Sequence, residues 1–323
     1  MAEEKQRDSG SFQTMIGGQA LIEGIMMLGP EKKAVVIRRS DGGLEEQVEN
    51  RVLIKDKHPI LGVPLIRGVF NFGSSMANGM RALMYSAEFF PEEEGEPSKF
   101  ERWLEQKLGS EKMSSLLVTV AVVLGLAFSV GLFILLPTGV VGGIGFLAGG
   151  MPMWCRNVLE GAVRVVIFTA YLILCSKTKD IRRVFQYHGA EHKSIFCYEA
   201  GLPLTVENVR RQPRHHPRCG TSFLFVVIVV SILISSVVFS FFPMTNAFAR
   251  MGVHLLLLPI VVSITYELNR WVGRCSNPVT RLFTKPGLWL QNWTTFEPDD
   301  EMIQVGIRAL ELVLPSEKGK DAW

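Results

Sequence analysis

Cysteine is scarce in this chain: five residues in 323, an odd number with no framework spacing. That excludes a disulfide scaffold. A surplus of one charge sign is also missing. Thirty-four Lys and Arg stand against 31 Asp and Glu, a net charge of +3, and no basic run dominates. Specific nucleic-acid binding is therefore not expected. Disorder is excluded as well, because 48% of the residues are hydrophobic and the net charge is small. Met1 to Gly10 is polar without an apolar stretch, so no cleaved signal peptide is expected. What the chain does have is apolar length. A mean hydropathy of +0.23 is high for a soluble enzyme and low for membrane spans alone. It suits a few spans with a sizeable water-facing part.

Ser114 to Leu136 and Ser222 to Phe242 are uncharged, and each reaches the roughly 20 residues a helix needs to cross a bilayer. Two further stretches carry blemishes. Asn157 to Cys175 holds Glu160 and Arg164, and Met251 to Trp271 holds His254, Pro259 and Glu267. Read as spans, they give a consistent charge pattern. The connections from Pro137 to Arg156 and from Pro243 to Arg250 have one basic residue each, whereas residues 176–221 have nine. The positive-inside rule then places the middle loop and both termini in the cytoplasm of a multi-pass protein. The Gly-rich segment Thr138 to Gly150 reads as an outer linker able to dip into the interface. The expected fold is an α-helical polytopic membrane protein with four transmembrane helices. Its parts are a small α+β cytoplasmic region over 1–113, a membrane domain over 114–271 and a cytoplasmic C-terminal tail over 272–323.

In the first region, Ala34 to Arg39 is strand-prone, Asp41-Gly42-Gly43 signals a turn, and Leu44 to Leu53 can return as the partner. Gly17 to Gly24 can add a strand. Val69 to Phe90 reads as an amphipathic helix, at the membrane surface or in a core, with small-residue pairs Gly73/Ala77 and Ser75/Gly79 for close packing. Glu92 to Glu96, flanked by prolines, reads as a loop. In the tail, the Trp- and Pro-rich stretch Asn277 to Phe296 suits an interface. Pro298-Asp299-Asp300-Glu301 opens a helix with acids at its positive end. The stripe Ile303, Ile307, Leu310 and Leu314 on that helix reads as packing.

Histidine is sparse but clustered. Four of six fall within positions 188–216, where uniform scatter would place about half of one. His188-Gly189-Ala190-Glu191-His192 puts two imidazoles at i and i+4 on one helix face, with Glu191 beside them. Two such imidazoles can hold a divalent metal, and the carboxylate can act as a general base. His215-His216-Pro217-Arg218-Cys219-Gly220 follows, and its His216-x-x-Cys219 pair has metal-ligand spacing that suits zinc or iron. A helix ending near Gly201, a break at Pro203 and a short helix over Thr205 to Arg211 would let the two half-sites meet. The bland alternatives are a chance motif and, for the arginines, simple positive-inside charge. Glu267 reads as a buried functional carboxylate or a partner of Arg270. Glu160 and Arg164 read as an ion pair, and Cys155, Cys175, Cys197 and Cys275 as passive thiols.

These segments, with Gly17-Gly18-Gln19-Ala20, Ile22-Glu23-Gly24-Ile25-Met26-Met27, Leu204-Thr205-Val206-Glu207-Asn208 and Lys285-Pro286-Gly287-Leu288-Trp289-Leu290-Gln291, resemble the YqhQ-like family of bacterial membrane proteins (domain of unknown function 1385). The likeness runs from about residue 15 to 314. It implies a bacterial inner-membrane protein with a metal site on His188, His192, His216 and Cys219; His215 lies outside the motif. It supplies no substrate.

The leading expectation is a metal-dependent membrane enzyme, a hydrolase at the cytoplasmic surface, with zinc favoured and Glu191 as general base. The rival is a scaffold or partner-binding membrane protein with a structural metal, in a complex or homo-oligomer. A transporter is disfavoured by the few buried polar sites and the lack of a repeat. An open coordination position would separate the first two.

Overall fold

A computed structural model of the chain describes residues 12–51, 59–90, 110–244, 246–274, 277–317 and 319–322. Met1 to Gly10, Glu92 to Glu96 and Cys275 lie outside them. The chain divides into two compact units. The first comprises residues 1–90, 171–230 and 259–323, the second residues 91–170 and 231–258.

The first unit opens with an antiparallel meander: β1 (Gly17–Leu21), β2 (Gly24–Leu28), β3 (Lys32–Arg38) and β4 (Leu44–Asn50), in that order. Gly42, at φ +84°, makes the β3–β4 turn where the sequence places it. The β1–β2 turn is Ile22-Glu23, so the apolar run Ile25 to Leu28 is a strand that the sequence reading passed over. β2 is covered on both faces. Ile25 and Met27 join Tyr187, Ala190, Met302 and Val305 in one cluster, while Met26 joins Val35, Ile37 and Ala82 in another. β4 is the exposed edge, and its glutamates disfavour pairing with another chain.

The helix α1 (Ile66–Ala87) covers the second cluster. Of its small residues, Gly79 is the tight one: a Cβ there would lie 2.1 Å from the Gln19 side chain, whereas Gly73 has nothing within 4 Å.

Among the described residues, four helical stretches are long and apolar enough to cross a membrane: Thr119–Leu147, Met153–Cys175, Phe223–Phe241 and Phe248–Arg274. They belong to α2 (Ser110–Val130), which runs through a π-turn (Gly131–Leu135) into α3 (Leu136–Leu147), then α4 (Met153–Cys175), α7 (Gly220–Phe241) and α8 (Ala247–Arg274). The segment read as a Gly-rich linker is thus mostly helix, ending near Leu147. Pro137 lies in a continuous helical path, so its missing N–H leaves the backbone ladder one donor short at that point. The π-turn before it absorbs the local change in pitch.

The second unit corrects one pairing. Glu160 accepts from Arg156 Nε at 3.0 Å and from Arg250 Nη2 at 2.8 Å. Arg164 instead donates to the Phe133 carbonyl at 2.9 Å, the carbonyl four residues before a proline that has no N–H to offer it. Arg250, 1% exposed, also donates to Asn157 at 3.1 Å. In the first unit, Glu267 pairs with Arg67 (Nε–Oε1 2.6 Å) rather than with Arg270.

Candidate metal centre

The site is built on α5 (Lys179–Glu199). Its middle, Gly189 to Ile195, is buried throughout, an unusual state for a stretch containing Glu, His and Lys. Two features allow it. Small residues admit the neighbours: a Cβ on Gly189 would stand 2.0 Å from the Phe296 carbonyl oxygen, and one on Gly306 would stand 2.7 Å from Ser194 Oγ. Gly306 belongs to α10 (Asp300–Glu311), capped by Asp299, which accepts from Met302 N at 2.8 Å. Its predicted stripe packs as expected, with Ile303 and Leu310 fully buried. The second feature is the β1–β2 turn. Glu23 sits at φ +50°, a left-handed conformation costly for a non-glycine residue. Its carboxylate accepts from Arg183 Nη2 at 2.7 Å and Tyr187 Oη at 3.0 Å, two residues one turn apart on α5. That clamp brings the Gly18 N–H to 3.0 Å from Glu191 Oε1.

After α5 the chain breaks at Gly201 (φ +67°) and forms the short helix α6 (Val206–Arg210), capped by Thr205. Residues 214–219 then return to α5, as the sequence spacing suggests. Gln291 on α9 (Pro278–Thr294) holds this return by both backbone groups of one residue. It accepts from His216 N at 2.7 Å and donates to His216 O at 2.8 Å.

His188, His192 and Cys219 thereby converge, with ligand atoms all within 4.8 Å of one another. His188 Nδ1 lies 2.7 Å from the Thr294 carbonyl, and His192 Nδ1 lies 2.6 Å from the Arg214 carbonyl. A carbonyl only accepts, so each Nδ1 carries a proton and each Nε2 is the nitrogen turned to the cluster. His188 Nε2 points at Cys219 Sγ, 3.1 Å away. His192 Nε2 is buried and forms no well-aligned hydrogen bond. Carbonyls orienting imidazoles in this way are characteristic of metal-binding histidines. Tetrahedral zinc would hold N and S about 3.5 Å apart, so the cluster needs little movement to close on an ion.

The electrostatics agree. Burial holds the His192 imidazole down to about 4, so it is neutral at physiological pH. Burial pushes the Cys219 thiol up, but the neighbouring His192 and the Thr221 hydroxyl and amide outweigh it and leave the thiol below its ordinary range. Burial also pushes Glu191 up to about 7, with His188 pulling the other way. Its Oε2 is buried without a hydrogen bond. A neutral His192, an acidified thiol and a buried carboxylate oxygen without a hydrogen bond are a set of groups that a cation would suit.

His216 is close without belonging to the trio. Its ring centroid lies 5.5 Å from that of His192. Its Nε2 faces Glu199 Oε2 at 3.7 Å and Arg218 Nη2 at 3.4 Å. His215 is half-buried outside the cluster. Sequence reasoning missed Glu199, 8% exposed at its side chain, although it lies seven residues after His192 and so on the same helical face. Thr294 and Arg214 act through their carbonyls, which no side-chain pattern reveals. Cys197 is buried with Sγ against the Leu202 and Pro203 carbonyls, and Cys155 and Cys175 are free thiols.

Fold and site together define a multi-span helical protein carrying a buried His/His/Cys group that could hold a metal ion. The chain belongs to the family described as protein of unknown function DUF1385, which matches residues 63–316. It is 34% identical over 304 residues to the uncharacterized protein YqhQ of Bacillus subtilis (strain 168), covering 92% of each chain. With 92% of this chain covered, that second likeness reaches upstream of residue 63, where the family match begins. No solved structure matches the chain.

Proposed function

We propose that this protein is a metal-dependent enzyme of the bacterial inner membrane, a hydrolase working at the cytoplasmic surface. The observation that carries this reading is the number of donors. His188, His192 and Cys219 converge, while the fourth candidate, His216, is turned toward Glu199 and Arg218. Three protein ligands leave one tetrahedral position open, as in catalytic zinc sites, whereas structural sites are closed by four. The mixed N and S donor set favours zinc. When bound, the metal supplies Lewis acidity at that open position.

The chain's own groups do the remainder. Glu191 Oε1 is held by the Gly18 N–H, which fixes the carboxylate and leaves Oε2 to accept a proton from an attacking water. The thiol side is steadied by Thr221, whose N–H and hydroxyl lie 3.4 and 3.3 Å from Cys219 Sγ. The excess of basic residues in 176–221 over the flanking connections supports a cytoplasmic site with both termini on that side.

Elemental analysis of the purified full-length protein tests the reading. About one divalent ion per chain is expected, lost in His188→Ala, His192→Ala and Cys219→Ala but kept in His215→Ala. Glu191→Gln keeps an oxygen for the Gly18 N–H and removes the base. It should retain metal and expression level, yet fail to complement a deletion phenotype, since a general base is worth about 10²–10⁴ in rate. Full metal content in the His188→Ala, His192→Ala double variant would sink the site. Normal complementation by Glu191→Gln at native expression would leave only a structural metal.

A further inference from the structure

A cavity of about 870 Å³ opens in the first unit, and none of the donor cluster lines it. Its walls come from α1, the last turns of α8, β3, β4 and the chain near Lys320. Among the described residues, six cations line it, Lys33, Arg51, Arg67, Arg270, Arg274 and Lys320, against one carboxylate, Glu49. Three of these cations are already neutralised. Lys33 meets Glu49 at 2.8 Å, Arg67 meets Glu267, and Lys320 meets Glu31 at 3.1 Å and Glu317 at 3.4 Å. Arg51, Arg270 and Arg274 have no carboxylate partner within ion-pair distance among the described residues. Arg51 is fixed without being neutralised: its Nη1 donates to the Gly29 carbonyl at 2.9 Å.

The facing wall adds neutral donors. Asn71, Ser74, Ser75 and Asn78 line the cavity from one face of α1, spaced i, i+3, i+4 and i+7. Asn71 is held in place by a 2.8 Å bond to Tyr266 of α8. On its other side α1 exposes Val69, Phe72, Met76 and Met80, an apolar stripe beside a helix long enough to span a bilayer. Gly68 sets that proximity, since a Cβ there would lie 2.9 Å from Ser263 Cα.

Guanidinium groups with hydroxyl and amide donors in one concavity match the oxygens and charge of a phosphate group better than those of any neutral ligand. We propose that this cavity binds a phosphate-bearing anion, with Arg51, Arg270 and Arg274 as its charge partners. A phospholipid headgroup and a soluble phosphate compound share that chemistry, and the position beside α8 admits either.

The test uses the full-length protein in phosphatidylcholine nanodiscs, with and without phosphatidylglycerol, and inorganic phosphate as the soluble probe. Saturable binding of inorganic phosphate identifies a soluble source. Saturable retention of phosphatidylglycerol without phosphate binding identifies a lipid source. In either case the Arg51→Gln, Arg274→Gln double variant should weaken binding at least tenfold. Ser75→Glu, at an exposed position on the cavity face of α1, should do the same while leaving every cation in place. It decides the matter if the arginine variant fails to fold. Failure of both probes to bind saturably, or undiminished binding by Ser75→Glu, overturns the site. Neither readout depends on metal content, so the outcome is separable from that of the donor cluster.

Discussion

Replacing Gly189 by alanine should destabilise the protein and empty the donor cluster at once. The added Cβ would lie 2.0 Å from the Phe296 carbonyl oxygen, against ordinary C···O contacts of about 3.3 Å. The obstacle is backbone, so no rotamer change relieves it, and α5 must part from residue 296 by about 1 Å. That segment is tied to α5 on both sides of the contact, by Phe296 N to Phe185 O at 2.9 Å and His188 Nδ1 to Thr294 O at 2.7 Å. The displacement therefore falls on the bond that orients His188. Overpacking costs about 1–3 kcal/mol and a weakened hydrogen bond about 1 kcal/mol. The helix propensity gained by removing glycine offsets about 1 kcal/mol. The net loss is about 1–3 kcal/mol, or roughly 2–12 °C in melting temperature for a unit of this size.

Gly73→Ala supplies the control, because nothing lies within 4 Å of a Cβ at that position of α1. It should be neutral or stabilising by up to about 1 kcal/mol. The assay is thermal unfolding of the full-length protein in detergent, after chelation and again after zinc addition, with bound metal measured in each state. Gly189→Ala should melt below the wild type in both states and gain less from zinc. A variant that melts with the wild type and keeps its metal would refute the close approach of α5 to residue 296, and with it the placement of His188.

Two further outcomes follow from other parts of the chain. Arg250→Leu leaves the buried Glu160 carboxylate with Arg156 alone and should cost up to about 3 kcal/mol, short of the roughly 3–5 kcal/mol of a fully unpaired buried charge, read as lost yield and earlier aggregation on heating. The Arg250→Leu, Glu160→Leu double variant should recover much of it, and a double variant no better than the single would mean the pair contributes nothing as a pair. If residues 176–221 face the cytoplasm, a membrane-impermeant thiol reagent should leave Cys197 and Cys219 unlabelled in intact cells. Labelling of Cys219 in sealed cells, against a metal-stripped lysed control, would reverse the orientation.

The elements that were legible in the sequence are those whose signal is local. Length and apolarity mark the spans, and Asp299 followed by Asp300 and Glu301 marks the start of α10. The i, i+4 histidines declare a shared helix face wherever that helix sits. β2 was missed because Ile25 to Leu28 shows no alternation, and it shows none because both faces of that strand are covered. The Gly-rich stretch after Leu136 looked like a linker by composition. Apolar surroundings and the absence of charge let glycine persist in a helix that propensity alone would disfavour.

The pairings of Glu160 and Glu267 were misjudged for a different reason. Sequence spacing favours the partner one turn away, and in both cases an arginine distant in the chain reaches the carboxylate: Arg250 for Glu160, beside the local Arg156, and Arg67 for Glu267. The same limit explains His216. His-x-x-Cys spacing says that two side chains can share an ion, but not that a third group competes for one of them. Glu199 does so, its Oε2 3.7 Å from His216 Nε2, and its own carboxylate is held by Arg218 and by the Thr14 N–H at 2.9 Å. Thr14 comes from the segment just before β1, the part of the chain that also delivers Gly18 to Glu191. The N-terminal part of the chain therefore bears on the site at two carboxylates: Gly18 of β1 holds Glu191 with one N–H, and Thr14, just ahead of that strand, holds Glu199 with another. The contact that turns His216 away from the trio thus runs through Glu199 to Thr14, 185 residues upstream of that carboxylate.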